Sequence, residues 1–495
     1  MNSERLRFWL WAGAALLAGL LLRLWFVSHM ARVVGDSIVY GELAKNLLQH
    51  GGYGFVDNGP TPGSFTLHPT LIRLPGYPLF LAVCFRLFGM AHYHAVLNVQ
   101  VAVDLVTCCL ASALAGRLFG PSARLPVLWL AALCPFTANY TSTALAETLV
   151  FATIALALYA FARWQDAGMG YNRWLWTIAA ALSYSILLRP EQGLLAAAIM
   201  PTMLWAALAT RERRSRPLHS ALPVVAAALC AILPLVPWTI RNEHYFHVFQ
   251  PLAPRDANDP GSPNLPGFGR WYSAWAIDFA ATDEICWPMD GEPIDFATLP
   301  EAAFAASTPA ASEDLRRRTA ALFADYNAGL TLTPAIDARF DELATELIDA
   351  HPVRYYFGLH VARMLDMAFR PRTETMPVSD EWWQWSKHRG QTAFAASYAA
   401  LNLAYFGAAF TGFLVWRRHA WLSPNSPGSG RAYRELAIAM AASILLRAAL
   451  LLFIANSEPR YTLEFFPIFF VWIGALFAGP WRSQNSGLVA VDQPS

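Results

Sequence analysis

RLRFWLWAGAALLAGLLLRLWFVSHMARVVGDS, residues 5–37, decides the class of the fold. Two arginines precede an apolar run from Phe8 to Val27 that is about long enough to cross a bilayer, for which roughly 20 residues suffice. The run keeps bulky Leu, Trp and Phe to its end and offers no small-x-small cleavage site, so it reads as a retained first span rather than a signal peptide. The rest of the chain agrees. Over 495 residues it is 56% hydrophobic and only 14% charged, with a mean hydropathy of +0.33, a composition that belongs in lipid. A net charge of +1 gives no basic surface for a nucleic-acid partner. Of the six cysteines, five lie in apolar stretches and Cys286 stands alone, so no disulfide framework or metal-ligand spacing is visible.

Segments of spanning length recur near 8–28, 95–116, 122–138, 145–163, 174–189, 192–209, 221–239, 395–416, 435–455 and 462–480. The stretch 75–90 is apolar but short, opens on two prolines and contains Arg86, which suits a re-entrant or interfacial helix. An all-α polytopic membrane protein of about ten transmembrane helices follows. The positive-inside rule gathers Arg117, Arg124, Arg163, Arg173, the cluster at 211–216, WRRH at 416–419, Arg431, Arg434 and Arg482 on one side. Both chain ends then fall on that cytoplasmic side. The other side receives the loop at Asp36, Glu147, the turn LLRPEQG, SEPRY and the long polar segment.

Three regions result: 1–240, an N-terminal transmembrane module with an outer loop at 31–94; 241–394, an outer-face loop domain; and 395–495, C-terminal transmembrane helices with a short tail. A polar segment as long as 241–394 needs structure of its own. Its first part, PLAPRDANDPGSPNLPGFGR, reads as irregular loop, whereas 313–329 and 334–370 carry the spacing of amphipathic helices. WWQW at 382–385 suits the headgroup zone.

After Asp36, residues Val39, Tyr40, Leu43, Ala44, Leu47 and Leu48 share one helical face, with Glu42, Lys45, Asn46 and Gln49 on the other. This is a helix lying in the interface. Asp36 or Ser37 can cap it, and Asp36 can equally serve as a reactive carboxylate; the two roles do not exclude one another. Glu147 stands at the entrance to an apolar span, where a carboxylate is costly unless paired or wet. Arg189 or Arg447 is a candidate partner. Arg189, Arg241 and Arg460, each at a span boundary, can snorkel or hold a phosphate by charge-assisted hydrogen bonds.

PTLIRLPGYPLFLAVCFRLFG at 69–89, the span followed by GDS, the Glu147 entry, RPEQG, PWTIRN and EPRYTLEFFP together resemble the GT-C glycosyltransferases. The bacterial lipid A aminoarabinose transferases, the rhizobial galacturonosyltransferases and the protein O-mannosyltransferases are similar in the same order of motifs. The resemblance covers about 20–255 and 440–480. It implies an inverting hexosyl- or pentosyl-transferase in a bacterial inner membrane, working on the periplasmic face in cell-envelope or lipopolysaccharide synthesis. A polyprenyl-phosphate-linked sugar is the implied donor, and the acceptor is a lipid, a glycan or a protein.

By position the resemblance makes Asp36 the catalytic base and Glu147 the second acid. It makes Arg73, Arg189, Arg241 and Arg460 candidates for the donor phosphate; Tyr40, Glu191, Glu458 and Tyr461 are further candidate contacts. Metal-binding members carry a second acid beside the first, where this chain has Ser37. No cofactor is expected, and His29, Glu42 and Asp57 are the residues left to contribute to a divalent metal. A transporter of a lipid-linked saccharide is the alternative reading. It would place charges near the midplane, often in repeated halves; Arg447 fits that reading, but no repeat is visible.

Overall fold

The computed structural model describes residues 3–58, 64–209, 215–254, 258–422 and 433–478. The basic positions 211–214, Arg431 and Arg482 lie outside the described residues. Among the described residues, eight helices are long and apolar enough to span: Ser3–Met30, Tyr93–Phe119, Glu147–Asp166, Pro190–Leu208, Pro217–Phe246, Arg389–Arg418, Arg434–Leu452 and Pro459–Phe477. Arg173–Leu188 is shorter, as is Gly76–Phe88. At 1.5 Å per residue, the 13 residues of Gly76–Phe88 cannot cross a hydrocarbon core of about 30 Å.

The chain divides into two compact units. One comprises 1–257, 404–443 and 464–495; the other comprises 258–403 and 444–463.

In the first unit, the segment expected to span at 122–138 is a broken helix. Pro121–Ala132 ends ahead of Pro135, and Pro135–Asn139 and a 3-10 turn at Tyr140–Ser142 carry the chain on. Pro135 lacks an N–H and restricts the residue before it, which ends the first helix. The pieces nevertheless run the length of the first span. Arg124 lies over Phe8 near one end, and Thr143 bridges to Arg32 at the other. Arg23, buried in the first span, holds the break. It donates to Ala132 O at 2.7 Å and Gly19 O at 2.9 Å, and binds Asp104 of the second span at 2.5 and 2.8 Å. Gly19 permits this approach, because a Cβ there would stand 2.9 Å from that of Ala132.

The loop between the first two spans holds a small antiparallel hairpin that the all-helical expectation missed, Gly54–Asn58 against Phe65–Pro69, with Val56 opposite Leu67. The basic ends also assort within this unit. Arg117 binds Asp166 at 2.5 Å, Tyr433 donates to the same carboxylate, and Arg163 lies over Trp174.

The second unit has a core of Trp271, Tyr272, Trp275, Phe323 and Phe340. Its helices Pro309–Gly329 and Pro334–Ala350 each begin with a threonine cap and a proline, the expected start signals. Two expectations are corrected here. The apolar periodicity over 334–370 is not one helix: it stops at Ala350, ahead of Pro352, and resumes as a π-turn at Arg354–Gly358 and the helix Leu359–Phe369. The end of the stretch read as loop is helical from Pro266 to Ser273. The carboxylate of Asp337 accepts from Gly267 and Phe268 N–H at its start.

Candidate active site

The candidate site residues of the first unit are positioned by three chain entries. The first span ends at Met30, and Arg32 N–H donates to Ser142 O, so the chain leaving that span runs beside the chain approaching Glu147. Gly35, at a positive φ of 54°, then turns the backbone into the helix Asp36–His50. Tyr40, Leu43 and Ala44 are buried as the periodicity predicts, together with Ser37, whereas Val39 and Leu47 are half-buried and Leu48 is exposed.

Neither Asp36 nor Ser37 is the cap of this helix. The cap position belongs to Gly35, with no side-chain hydrogen bond, and Asp36 falls in the first turn, where a carboxylate meets the positive end of the helix dipole. Its Oδ1 instead accepts from Arg73 Nη2 at 2.8 Å, and both side chains keep about a quarter of their surface exposed.

Arg73 reaches this position because the loop carrying it is clamped. Tyr53 O–H donates to the carbonyls of Arg73 and Leu74. Arg241 donates to Thr70 O at 2.8 Å and Tyr53 O at 2.6 Å. Its guanidinium is also enclosed by the rings of Tyr53, Trp238, Tyr245 and Phe246. Both terminal nitrogens of Arg241 are thus engaged with the fold. The next residues enter Gly76–Phe88, where a Cβ on Gly76 would stand 2.5 Å from the backbone of Leu187. That close approach brings the Arg73 loop beside the turn carrying Arg189.

Glu147 is the first residue of its helix and is 2% exposed. Arg189 lies 3.4 Å away, and the same guanidinium is 3.3 Å from Glu191 and 3.2 Å from Glu464. Gln192 donates to the second oxygen of Glu464 at 2.5 Å, and Ser185 and Thr153 continue the chain of polar contacts. Three carboxylates from separate parts of the fold thus face one guanidinium. Glu464 was not singled out from the sequence, although a single acid inside EFFPIFFVW carries the same signal as Glu147.

Tyr40 stands between the two groups. Its buried phenol is pushed up to about 12, first by burial and then by the Asp36 carboxylate, while Arg73 and Arg189 oppose the rise. Its ring packs edge-on against Tyr77 at 5.1 Å. Tyr77 O–H donates to Gln100, whose amide donates to Thr143 O just ahead of Glu147.

The residues of SEPRY belong to the second unit. Tyr461 O–H donates to Glu458 at 2.7 Å, Arg460 pairs with the same carboxylate, and Arg447 and Arg460 both lie over the Tyr461 ring. Buried Arg372 anchors this turn through Pro459 O at 2.6 Å and Thr462 Oγ1 at 2.8 Å. Arg372 was also missed in the sequence.

Of the residues considered for a metal, His29 stacks on Trp25 and Asp57 pairs with His68 on the exposed hairpin. Among the described residues there is no group of three or more His, Cys, Asp or Glu placed to hold a metal ion.

The model of a family described as dolichyl-phosphate-mannose-protein mannosyltransferase matches residues 68–239. The match covers 172 of the 495 residues, and this segment is similar to that family. It contains Arg73, Glu147, Arg189 and Glu191, and begins 32 residues after Asp36. Two solved structures of ArnT from Cupriavidus metallidurans are also similar to the chain, each at 16% identity with a TM-score of 0.37. The apo form covers 97% of this chain, the form bound to undecaprenyl phosphate covers 96%, and the chain spans 78% of each. Comparison with curated protein sequences finds no match.

Proposed function

We propose that this protein is an inverting glycosyltransferase that takes a sugar from a polyprenyl-phosphate carrier and passes it to an acceptor hydroxyl, with Asp36 as the base. The observation that carries this reading is the Asp36–Arg73 pair, partly open and 2.8 Å long, beside a segment of glycosyltransferase type. The acceptor oxygen attacks the anomeric carbon and gives its proton to the Asp36 carboxylate. The bond from that carbon to the phosphate oxygen breaks, and polyprenyl phosphate leaves with the electron pair from the opposite face. Arg73 holds the base in place and supplies positive charge where phosphate charge develops.

The carboxylates around Arg189 suit a different task. A phosphate at Arg189 would have to displace Glu147, Glu191 and Glu464. This group therefore positions the acceptor and the loop ahead of Glu147. Arg241, engaged with two carbonyls, braces the Arg73 loop. Arg460 remains a candidate phosphate ligand, and Tyr40, Glu458 and Tyr461 remain candidate substrate contacts. The working membrane is a bacterial inner membrane with the reaction at its periplasmic face, in cell-envelope synthesis.

The test is transfer of labelled polyprenyl-phosphate sugars by membranes holding the wild type or Asp36→Asn, with an EDTA series alongside. Intact expression with transfer reduced by about 10²–10⁴, the range for loss of a general base, supports the assignment. Full transfer by the variant would remove Asp36 from the mechanism. Transfer abolished by EDTA would show that a divalent metal takes part.

A further inference from the structure

The second unit presents a helical face that water does not suit. Over residues 352–369 the exposed positions are occupied by apolar residues, proline or glycine. Val353, Tyr356, Phe357, Val361, Leu365 and Phe369 form the stripe, with Val353 75% and Phe357 71% exposed. Arg363 turns the other way: it is buried and donates to the carbonyls of Ala276 and Ser273 at the end of the helix Pro266–Ser273, while Arg354, His360 and Asp366 are half-buried. An apolar stripe of this length, with only the half-buried Arg354 at its start, marks an interaction surface.

What it meets follows from its anchor. His360 Nδ1 lies 2.6 Å from Leu452 O, the last residue of the spanning helix Arg434–Leu452, and its ring packs near Phe453. Phe453 is itself 68% exposed, and Leu445 on that span is 69% exposed. The stripe therefore continues the lipid-facing surface of a spanning helix, at the level where that helix ends. We infer that residues 352–369 lie in the bilayer interface, with Val353, Phe357, Val361 and Leu365 among the acyl chains and Arg363 fastening the helix to the folded outer segment. Helices of this kind bury their apolar face about 5–10 Å into the headgroup and acyl boundary. The polar segment is thereby held against the membrane rather than suspended above it.

The test uses the full chain in phospholipid nanodiscs. Nitroxides placed at Phe357→Cys, Val361→Cys and Leu365→Cys, in a background without the native cysteines, should collide with oxygen several-fold more than with a water-soluble nickel chelate. A label at Glu346→Cys, on the neighbouring solvated helix, should show the reverse. A second measurement needs no substitution: a phospholipid with a photoactivatable acyl chain should label the peptide containing 352–369 in the wild type. Nickel-favoured collisions at the three positions, or labelling of that peptide only by a water-soluble carbene reagent, overturns the inference. Dipolar broadening that disappears on dilution with unlabelled protein overturns it too, because the stripe would then be covered by a second copy.

Discussion

Arg23 and Arg189 are both arginines of the first unit that face acids from distant parts of the chain, yet they are arranged for opposite ends. The donors of Arg23 meet Asp104, two backbone carbonyls and the sulfur of Cys108, and the side chain has no exposed surface. Arg189 meets three carboxylates, each at 3.2 Å or more, and retains some exposure. The first group is closed electrically and geometrically; it pins a broken helix. The second is looser, and its guanidinium keeps some contact with solvent. A buried polar network that is tightly closed stiffens a fold, whereas a looser, partly exposed one beside an open carboxylate can rearrange around a substrate.

The comparison is broken most directly by separating turnover from folding. Asp36→Asn should lose most transfer while retaining yield and monodispersity. Arg23→Met should do the reverse: removing one member of a buried pair costs about 3–5 kcal/mol, so yield and thermal stability should drop, with any folded fraction showing near-normal turnover per molecule. Arg23→Met combined with Asp104→Leu should recover part of the stability, since an apolar replacement leaves no uncompensated charge. If the double variant is no better than the single ones, the pair is not the closed unit described here.

A finer test lies within the Arg189 cluster. Glu464→Gln keeps an acceptor for Gln192 but removes one charge. Transfer should fall about tenfold, as expected for about 1.4 kcal/mol of weakened charge-assisted bonding, with the loss appearing in KM for the acceptor. A loss seen only as lower thermal stability would make Glu464 a structural member, like Asp104.

These roles were unequally legible in the sequence. The apolar runs marked the spans because spanning length is a local property, and Asp36 and Glu147 stood out as acids at span ends. The break at Leu133–Cys134 was hidden because its cause is local but its stabilisation is not: Arg23 is 109 residues from Ala132. Arg23 and Asp104 were not singled out in their apolar runs, and their pairing across 81 residues depends on how two helices pack. The hairpin at 54–69 depends on Arg241, 171 residues from Thr70. The same distance concealed that Arg241 braces a loop: its motif shows an arginine at a span boundary, and only the fold shows what its nitrogens meet.

The smallest expected effect sits in the second unit, where a half-buried carboxyl faces other acids rather than a closed partner set like that of Arg23. Asp380 is pushed up to about 7, first by burial and then by Asp283 and Glu374, with Arg370 opposing. Asp366 is raised to about 6, again chiefly by burial. An unfolded aspartate titrates near about 3.9, so between roughly pH 4 and 7 the folded form holds protons that the unfolded form has lost. Stability from these groups is therefore fully present below that window and lost as pH rises through it, the reverse of an ion-paired carboxylate. Thermal unfolding in detergent across this range should show a declining midpoint that becomes shallower in Asp380→Asn, because the amide stays neutral at every pH. An unchanged slope in that variant would mean that Asp380 is wetted and ionises at little cost, and the contrast with the closed Arg23 pair would then rest on the Arg189 cluster alone.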